Sequence, residues 1–137
     1  MLHRNEKVEL IKKVPLFAGG SKSELEQIAQ IADEIDLREG KEMTQQGSRG
    51  REFFVLLEGE ADVTKDGRSI NKLGPGDFFG EIALVSDTPR TATVTATSPV
   101  RALVITDRAF KQLLDHSPEI AVGVLTALAE RVAPTTL

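Results

Sequence analysis

Cysteine, tyrosine and tryptophan are absent from this chain of 137 residues, and only two histidines are present. Without cysteine the chain has no disulfide, no thiolate metal site and no cysteine nucleophile. The two histidines, His3 and His116, are isolated in sequence, so we expect neither a cupin-type metal site nor a catalytic acid–base pair. These absences predict a protein that is not an enzyme and that needs no metal or other cofactor.

A basic stripe and a long apolar run are also missing. The chain has 17 Lys and Arg residues against 21 Asp and Glu residues, with a net charge of −4 and a pI of about 5.2. Such a surface does not favour a nucleic-acid backbone, and without Tyr or Trp few side chains can stack on exposed bases. No apolar run reaches the length of a membrane span, and no signal peptide is recognisable. We expect a cytoplasmic protein that binds neither nucleic acid nor membrane.

What the sequence does contain is a change of hydrophobic period along the chain. Apolar residues recur at helical spacing over residues 1–32, short β-favouring runs separated by turn residues fill 33–106, and the helical period returns over 107–133. About eight short strands indicate an antiparallel β-roll or jelly roll. The expected fold is mainly β with flanking helices (α+β). It has an antiparallel eight-stranded β-roll, N-terminal helices and two C-terminal helices in a single domain, residues 1–137.

Local signals predict where some of these elements begin and end. Ser21 and Glu24 have the spacing of a capping box at the start of the second helix. Asp66-Gly67 is a two-residue hairpin signal. Pro118 suits the first position of the last helix, and Pro134 is expected to end that helix.

The segment from residue 79 to residue 94, FGEIALVSDTPRTATV, contains groups that suit an anionic ligand. Gly80 permits a sharp turn, and residues 81–85 can form one helical turn whose first amides bind an anion. Arg90, which follows a proline, can pair with the same anion through bidentate hydrogen bonds. The segment therefore predicts a site for a phosphate.

Two further side chains in this segment extend the prediction to a sugar. The Thr91 hydroxyl can add a hydrogen bond to the phosphate, and Thr91 and Thr93 are expected on one face of a strand. Glu81 would repel a phosphate, but its carboxylate can accept hydrogen bonds from ribose hydroxyls. A cyclic nucleotide has both groups, because its phosphate is fused to its sugar.

This segment, FGEIAL with Arg90-Thr91-Ala92 after it, resembles the phosphate-binding cassette of the cyclic nucleotide-binding domain family. That family includes catabolite-activator-like proteins and kinase regulatory subunits. The resemblance covers nearly the whole chain, since residues 53–59 and 73–79 fall within the family's β-roll and the two closing helices correspond to its lid. It implies contacts to the ribose 2′-hydroxyl and the cyclic phosphate. The implied residues are Gly80 and Glu81 for the ribose, and Ile82, Ala83, Arg90 and Thr91 for the phosphate.

The resemblance also implies contacts to the base. In catabolite-activator-like members a hydroxyl pair late in the last helix contacts adenine, and Thr135 and Thr136 fall at that position. Leu128, Arg131 and Val132 are candidates to cover the base. We expect cAMP as the ligand. Threonine after the arginine also occurs in cGMP-selective and dual-specificity members, so cGMP stays an alternative.

A sensor or regulatory module is the function that the resemblance implies, with nucleotide binding coupled to movement of the C-terminal helices. Their apolar stripe, Ile120, Val124, Leu128 and Val132 with Leu125 beside it, would cover the ligand, contact an effector protein or form a homodimer. Simple packing on the β-roll is an equal alternative for this stripe. Both a stand-alone protein and a regulatory domain of a larger protein fit the sequence. A degenerate structural module that binds no ligand is the remaining alternative.

Overall fold

The computed structural model describes residues 3–14, 17–84 and 86–136, without the side chains of residues 4, 81, 82, 127, 128 and 130–136. The chain divides into two compact units. The helical unit comprises Met1–Ile31 and Ala109–Leu137, and the β-roll unit comprises Ala32–Arg108.

The helical unit contains helices from both ends of the chain. They are α1 (Arg4–Lys12), α2 (Lys22–Gln30), most of α3 (Asp107–His116), and α4 (Pro118–Thr136). The predicted capping box opens α2. Ser21 Oγ accepts a hydrogen bond of 3.2 Å from the Glu24 amide, and Glu24 Oε1 accepts one of 2.7 Å from the Ser21 amide. This prediction is therefore confirmed.

Apolar packing and one buried hydroxyl hold the helical unit together. The rings of Phe17 and Phe110 lie 5.8 Å apart in a tilted arrangement. Ser117, between α3 and α4, donates from its Oγ to Gln27 Oε1 of α2 at 2.5 Å. A buried hydroxyl needs such a partner, because leaving it unsatisfied costs about 1–3 kcal/mol. The other buried apolar residues of this unit include Ile11, Val14, Leu25, Ile28, Ile120 and Val124.

Helix α4 differs from its prediction in length and in one exposed side chain. Pro118 is its first residue, as predicted, but the helix passes Pro134 and ends at Thr136, three residues beyond the predicted range 107–133. A proline this close to the end removes one amide donor, and its fixed φ suits a helix. Leu125 is 66% exposed, because one residue step from buried Val124 rotates the side chain by about 100°. Within the described residues, no helix has the length and apolar character needed to cross a membrane.

The β-roll unit consists of two four-stranded antiparallel sheets, which confirms the predicted eight-stranded fold. One sheet has the order β1 (Asp33–Leu37), β8 (Val100–Thr106), β3 (Glu52–Glu58) and β6 (Phe78–Phe79). The other has the order β2 (Glu42–Thr44), β7 (Thr93–Ala96), β4 (Ala61–Lys65) and β5 (Arg68–Leu73). Buried side chains of the two sheets form one core. Its members include Leu56, Ala61, Leu73, Val94, Ala96, Val100 and Ala102.

Two local features of this unit are a tight turn between β4 and β5 and a pair of stacked rings at β6. Asp66 and Gly67 have φ values of 53° and 78°, which a two-residue type I′ turn requires, so the predicted hairpin between β4 and β5 is confirmed. Phe79 lies opposite Phe54 in the pairing of β6 with β3, and their rings stack 5.0 Å apart. This stacking fixes the end of β6 and therefore the backbone that follows it.

Candidate functional site

A single 3₁₀ turn, Glu81–Leu84, follows β6 as the sequence predicted. Gly80 precedes the turn with φ of +84°, a conformation that favours glycine. The amide of Ala83 donates to the carbonyl of Gly80 at 3.1 Å and closes the turn. Leu84 is only 1% exposed, so its side chain anchors the end of the turn in the core.

The backbone of Arg90 is bonded to the loop that follows β2. Its carbonyl accepts a hydrogen bond of 2.8 Å from the Gly47 amide, and its own amide donates to the Ser48 carbonyl at 2.8 Å. Gln46 extends this connection, because its amide donates to Thr93 Oγ1 at 2.9 Å. Three bonds to residues more than 40 positions earlier therefore fix the chain on either side of Arg90.

The guanidinium of Arg90 lies in a space that glycines leave open. Its Nη2 donates to the Glu52 carbonyl, and its Nη1 donates to the Gly80 carbonyl at 3.5 Å. A β-carbon at Gly50 would overlap the guanidinium, and one at Gly80 would lie 2.5 Å from Nη1 and 2.8 Å from the Glu52 oxygen. We call this set of Gly50, Gly80 and the Glu52 carbonyl the arginine slot. It orients the cation without burying it completely.

Two cavities open beside the arginine slot. The first has a volume of about 350 Å³ and is lined by Phe78, Phe79, Gly80, Ala83, Thr88, Pro89, Arg90 and Thr91. The second, of about 270 Å³, shares five of these residues and continues along the inner faces of the strands toward Thr44, Val63, Asn71, Leu73 and Val94. The guanidinium of Arg90 borders both cavities, and the second adds the apolar side chains of Val63, Leu73 and Val94 and the polar side chains of Thr44 and Asn71. Such a space suits a small ligand with an anionic end and a less polar body.

Comparison with protein families identifies the domain in which this site lies. Residues 34–117, more than half of the chain, match the family model of the cyclic nucleotide-binding domain. The chain belongs to the cyclic nucleotide-binding domain family. The matched range includes both cavities and the arginine slot.

Named relatives of this cyclic nucleotide-binding domain come from signalling proteins. The chain is 39% identical over 140 residues to a cAMP-dependent protein kinase regulatory subunit of Mycosarcoma maydis, covering 93% of this chain and 25% of the relative. It is 34% identical over 128 residues to cGMP-dependent protein kinase, isozyme 2 forms cD5/T2, of Drosophila melanogaster, covering 88% and 14%. The chain therefore spans about a quarter or less of the curated relatives it matches.

A solved structure supports the same fold over almost the whole length of both chains. The N-terminal domain of a transcriptional regulator from Streptomyces coelicolor A3(2) superposes with a TM-score of 0.84 at 29% identity. The match covers 93% of this chain and 94% of the other. The fold of this cyclic nucleotide-binding domain is thus shared with a protein of another functional context.

The predicted ligand residues of this cyclic nucleotide-binding domain are distributed as follows. Gly80, Ala83, Arg90 and Thr91 line the cavity of 350 Å³. Glu81 and Ile82 belong to the 3₁₀ turn between them, but their side chains lie outside the described residues. The five proposed base contacts, whose side chains also lie outside the described residues, are carried by α4. They are Leu128, Arg131, Val132, Thr135 and Thr136.

Thr91 departs from the sequence-based expectation in one respect. It was expected to share a strand face with Thr93, but β7 begins only at Thr93, and Thr91 lies in the bend before it. Thr93 instead accepts the hydrogen bond from Gln46 described above. The backbone of the preceding Arg90 is bonded to the loop at Gly47 and Ser48, and the pairing of β7 with β4 begins only at Thr93.

Sequence reasoning missed the residues that hold Arg90 from the opposite side. Gly50 and the Glu52 carbonyl complete the arginine slot, and Phe78 and Phe79 line both cavities. The only sequence signal for the slot was a second glycine three residues after Gly47 in a short polar loop. Nothing in the sequence connected that loop to Arg90, since 38 residues separate Glu52 from Arg90.

An ion pair joins the two loops that flank this cavity. Arg49 Nη1 lies 2.8 Å from Asp87 Oδ2, and both side chains are 68% exposed. Exposed pairs of this kind contribute about 0–1 kcal/mol and are weakened by salt. Among the described residues, no group of three or more His, Asp and Glu side chains is arranged to hold a metal ion.

Proposed function

We propose that this domain binds a cyclic nucleotide in the cavities beside Arg90 and acts as a sensor or regulatory module. The observation that carries the proposal is the arginine slot, which holds a guanidinium at the wall of a cavity of about 350 Å³. A guanidinium has five N–H donors, so the carbonyl bonds that orient Arg90 are compatible with further bonds to a phosphate. The family assignment supports the same ligand class.

The phosphate contacts we propose involve the 3₁₀ turn and the residues around Arg90. Arg90 supplies the charge, the Thr91 hydroxyl adds a hydrogen bond, and the amides of Ile82 and Ala83 donate to the phosphate oxygens. In this structure the Ala83 amide donates to the Gly80 carbonyl. Binding through Ala83 therefore requires that the phosphate shares or replaces this bond, with a small rearrangement of the turn.

The sugar and base would extend from the phosphate into the second of the two cavities. We assign the ribose 2′-hydroxyl to the Glu81 carboxylate and the Gly80 backbone. The base would reach the apolar strand residues or side chains of α4, among which Leu128, Arg131, Val132, Thr135 and Thr136 remain candidates. This division rests on the lining, because Arg90 borders both cavities whereas Val63, Leu73 and Val94 border only the second.

We propose cAMP as the physiological nucleotide. The relative at 39% identity is the regulatory subunit of a cAMP-dependent kinase, whereas the kinase named for cGMP is 34% identical. Thr91 favours the alternative, because a threonine hydroxyl at this position can also bond the guanine amino group. The second candidate is therefore a cGMP or dual-specificity domain.

Isothermal titration of the wild-type chain with cAMP, cGMP and 5′-AMP tests this function. We expect cAMP to bind more tightly than cGMP and 5′-AMP to bind weakly or not at all. Arg90→Ala should weaken cAMP binding by about 1.5–3 kcal/mol, the contribution of a hydrogen bond to a charged group.

Arg49→Ala is the matched control for this titration. It removes an arginine from the neighbouring loop whose exposed ion pair contributes only about 0–1 kcal/mol. If neither cyclic nucleotide binds, the proposal is wrong and the degenerate-module alternative holds. Tighter binding of cGMP than of cAMP would overturn only the choice of base.

We further propose that nucleotide binding changes the placement of α3 and α4 and so signals to an effector protein or a second copy of the chain. Hydrogen exchange of the amides in residues 107–133, with and without saturating cAMP, tests this coupling. We expect a change in protection across these helices. Unchanged protection in a sample that binds cAMP would contradict the coupling and leave the binding proposal intact.

A further inference from the structure

A third cavity lies within the helical unit and shares no lining residue with the two cavities beside Arg90. It has a volume of about 300 Å³ and is bounded by the loop before α2, by α2 itself and by the first turns of α4. Phe17, Ile28, Ile120 and Val124 line it, and each of these side chains is at most 4% exposed over its surface as a whole. Its floor is therefore an apolar surface built into the core of the unit.

Two glycines keep the wall of this cavity open. Gly123 lies in the interior of α4, where glycine costs about 1 kcal/mol relative to alanine. A β-carbon at Gly123 or at Gly19 would have no described neighbour within 4 Å, and both residues line the cavity. Close packing inside the described chain therefore does not require glycine at position 123. Among the described residues, the space beside Gly123 is available to an atom from another molecule.

The charge at this cavity has one sign. The two charged residues among its described lining are Glu24 and Glu119. Glu24 uses Oε1 in the capping box of α2, and Glu119 is exposed in the first turn of α4. Val122, which also lines the cavity, is 62% exposed, and Leu125 nearby on α4 is 66% exposed. An acidic rim around an apolar floor is complementary to a group that is apolar and positively charged.

We propose that this cavity docks a basic amphipathic segment of a partner protein. An apolar side chain of the segment enters beside Gly123, and an adjacent Lys or Arg pairs with Glu24 and Glu119. Val122 and Leu125 extend the apolar contact along α4, which is the arrangement of a helix lying in a groove. This inference does not depend on nucleotide binding, because no residue of the arginine slot takes part.

Two synthetic peptides of about 14 residues, long enough to form a bound helix, test the proposal. The basic peptide carries leucines at helical spacing with flanking arginines, and its acidic twin carries glutamates in place of the arginines. Each is titrated into the uniformly ¹⁵N-labelled full chain. We expect the basic peptide to shift the amide signals of Gly19, Gly20 and Gly123, and the acidic twin to bind at least about tenfold more weakly.

Substitutions at the cavity complete the test. Gly123→Trp should fill the space and abolish the shifts, whereas Gly123→Ala, which adds one methyl group in open space, should retain them. Circular dichroism verifies that both variants are folded. Glu24→Gln keeps a side chain that can complete the capping box, and together with Glu119→Gln it should remove the preference for the basic peptide.

Three outcomes of the peptide titrations would overturn the proposal. They are no shifts with the basic peptide, equal binding of the two peptides, and binding that survives Gly123→Trp in the folded variant. Sedimentation of the wild-type chain tests the alternative that a second copy of the chain occupies the cavity. A dimer that Gly123→Trp dissociates would assign the cavity to a second copy and contradict the basic partner.

Discussion

In the β-roll unit the space beside Gly50 and Gly80 is filled by the guanidinium of Arg90, whereas in the helical unit no described atom lies within 4 Å of a β-carbon added at Gly19 or Gly123. Both pairs of glycines line cavities or support a residue that does. The first pair therefore acts within the chain, by admitting the side chain that we propose binds the phosphate. The second pair leaves room that the described chain does not use. The glycines of the β-roll unit thus help to orient Arg90, whereas those of the helical unit leave room beside a cavity.

The two pairs of glycines also differ in how their replacement should change the stability of the fold. Gly80 has φ of +84°, so an L side chain there is strained whatever space surrounds it. Gly123 is helical, and the chain would gain stability from almost any other residue in its place. The same substitution to alanine should therefore have opposite effects on stability in the two units.

The largest effect is expected for Gly80→Ala. It combines a left-handed backbone with overlap at the Glu52 carbonyl, so the free energy of unfolding in urea should fall by about 2 kcal/mol or more. Nucleotide binding should also be lost, because the methyl group displaces Arg90. Gly76→Ala is the matched control, since its φ is +89° but no atom lies within 4 Å of the added carbon. If the two variants are equally destabilised, overlap in the arginine slot contributes nothing.

Gly50→Ala should separate binding from stability. The atoms that its methyl group would meet belong to the flexible end of Arg90, and this glycine does not require a left-handed backbone. Arg90 can therefore move aside at a cost below about 1 kcal/mol of unfolding free energy. Affinity for cAMP should nevertheless fall by about tenfold, because the displaced guanidinium loses its bond to the phosphate. Gly19→Ala, with no neighbour, should change neither quantity, and wild-type affinity in Gly50→Ala would show that the slot does not orient Arg90.

The smallest effect, and the one of opposite sign, is expected for Gly123→Ala. Alanine in the interior of α4 should raise the free energy of unfolding by up to about 1 kcal/mol, as measured in urea. Reduced stability would mean that a neighbour occupies the space beside Gly123, and the contrast between the two units would then disappear.

Sequence patterns predicted those parts of the fold that depend on neighbours in the chain. The capping box at Ser21, the hairpin at Asp66-Gly67 and the single turn after Gly80 each depend on residues at most a few positions apart. In each case backbone conformation and local hydrogen bonds decide the structure, and both can be read from residue type. The β-roll itself followed from the alternation of short β-favouring runs and turns.

The arginine slot could not be predicted in this way. Its bonds join Arg90 to Glu52 and Gly80, and backbone bonds join Arg90 to Gly47 and Ser48; no local pattern indicates which loop a folded chain brings to which. The strand expected at Thr91 begins two residues later, where its pairing with β4 starts. The end of α4 was misplaced for another reason: proline was expected to end the helix, but its fixed φ is compatible with a helical backbone, and α4 continues for two residues beyond Pro134.

The bond between the Arg90 guanidinium and the Glu52 carbonyl spans 38 residues of sequence, and this separation has a consequence for folding. The proposed phosphate site exists only after the intervening strands have paired, so the entropy of closing that loop is lost before any ligand can be held. A nucleotide that binds as we propose would therefore bind the folded β-roll in preference to the unfolded chain. Its concentration would then raise the free energy of unfolding.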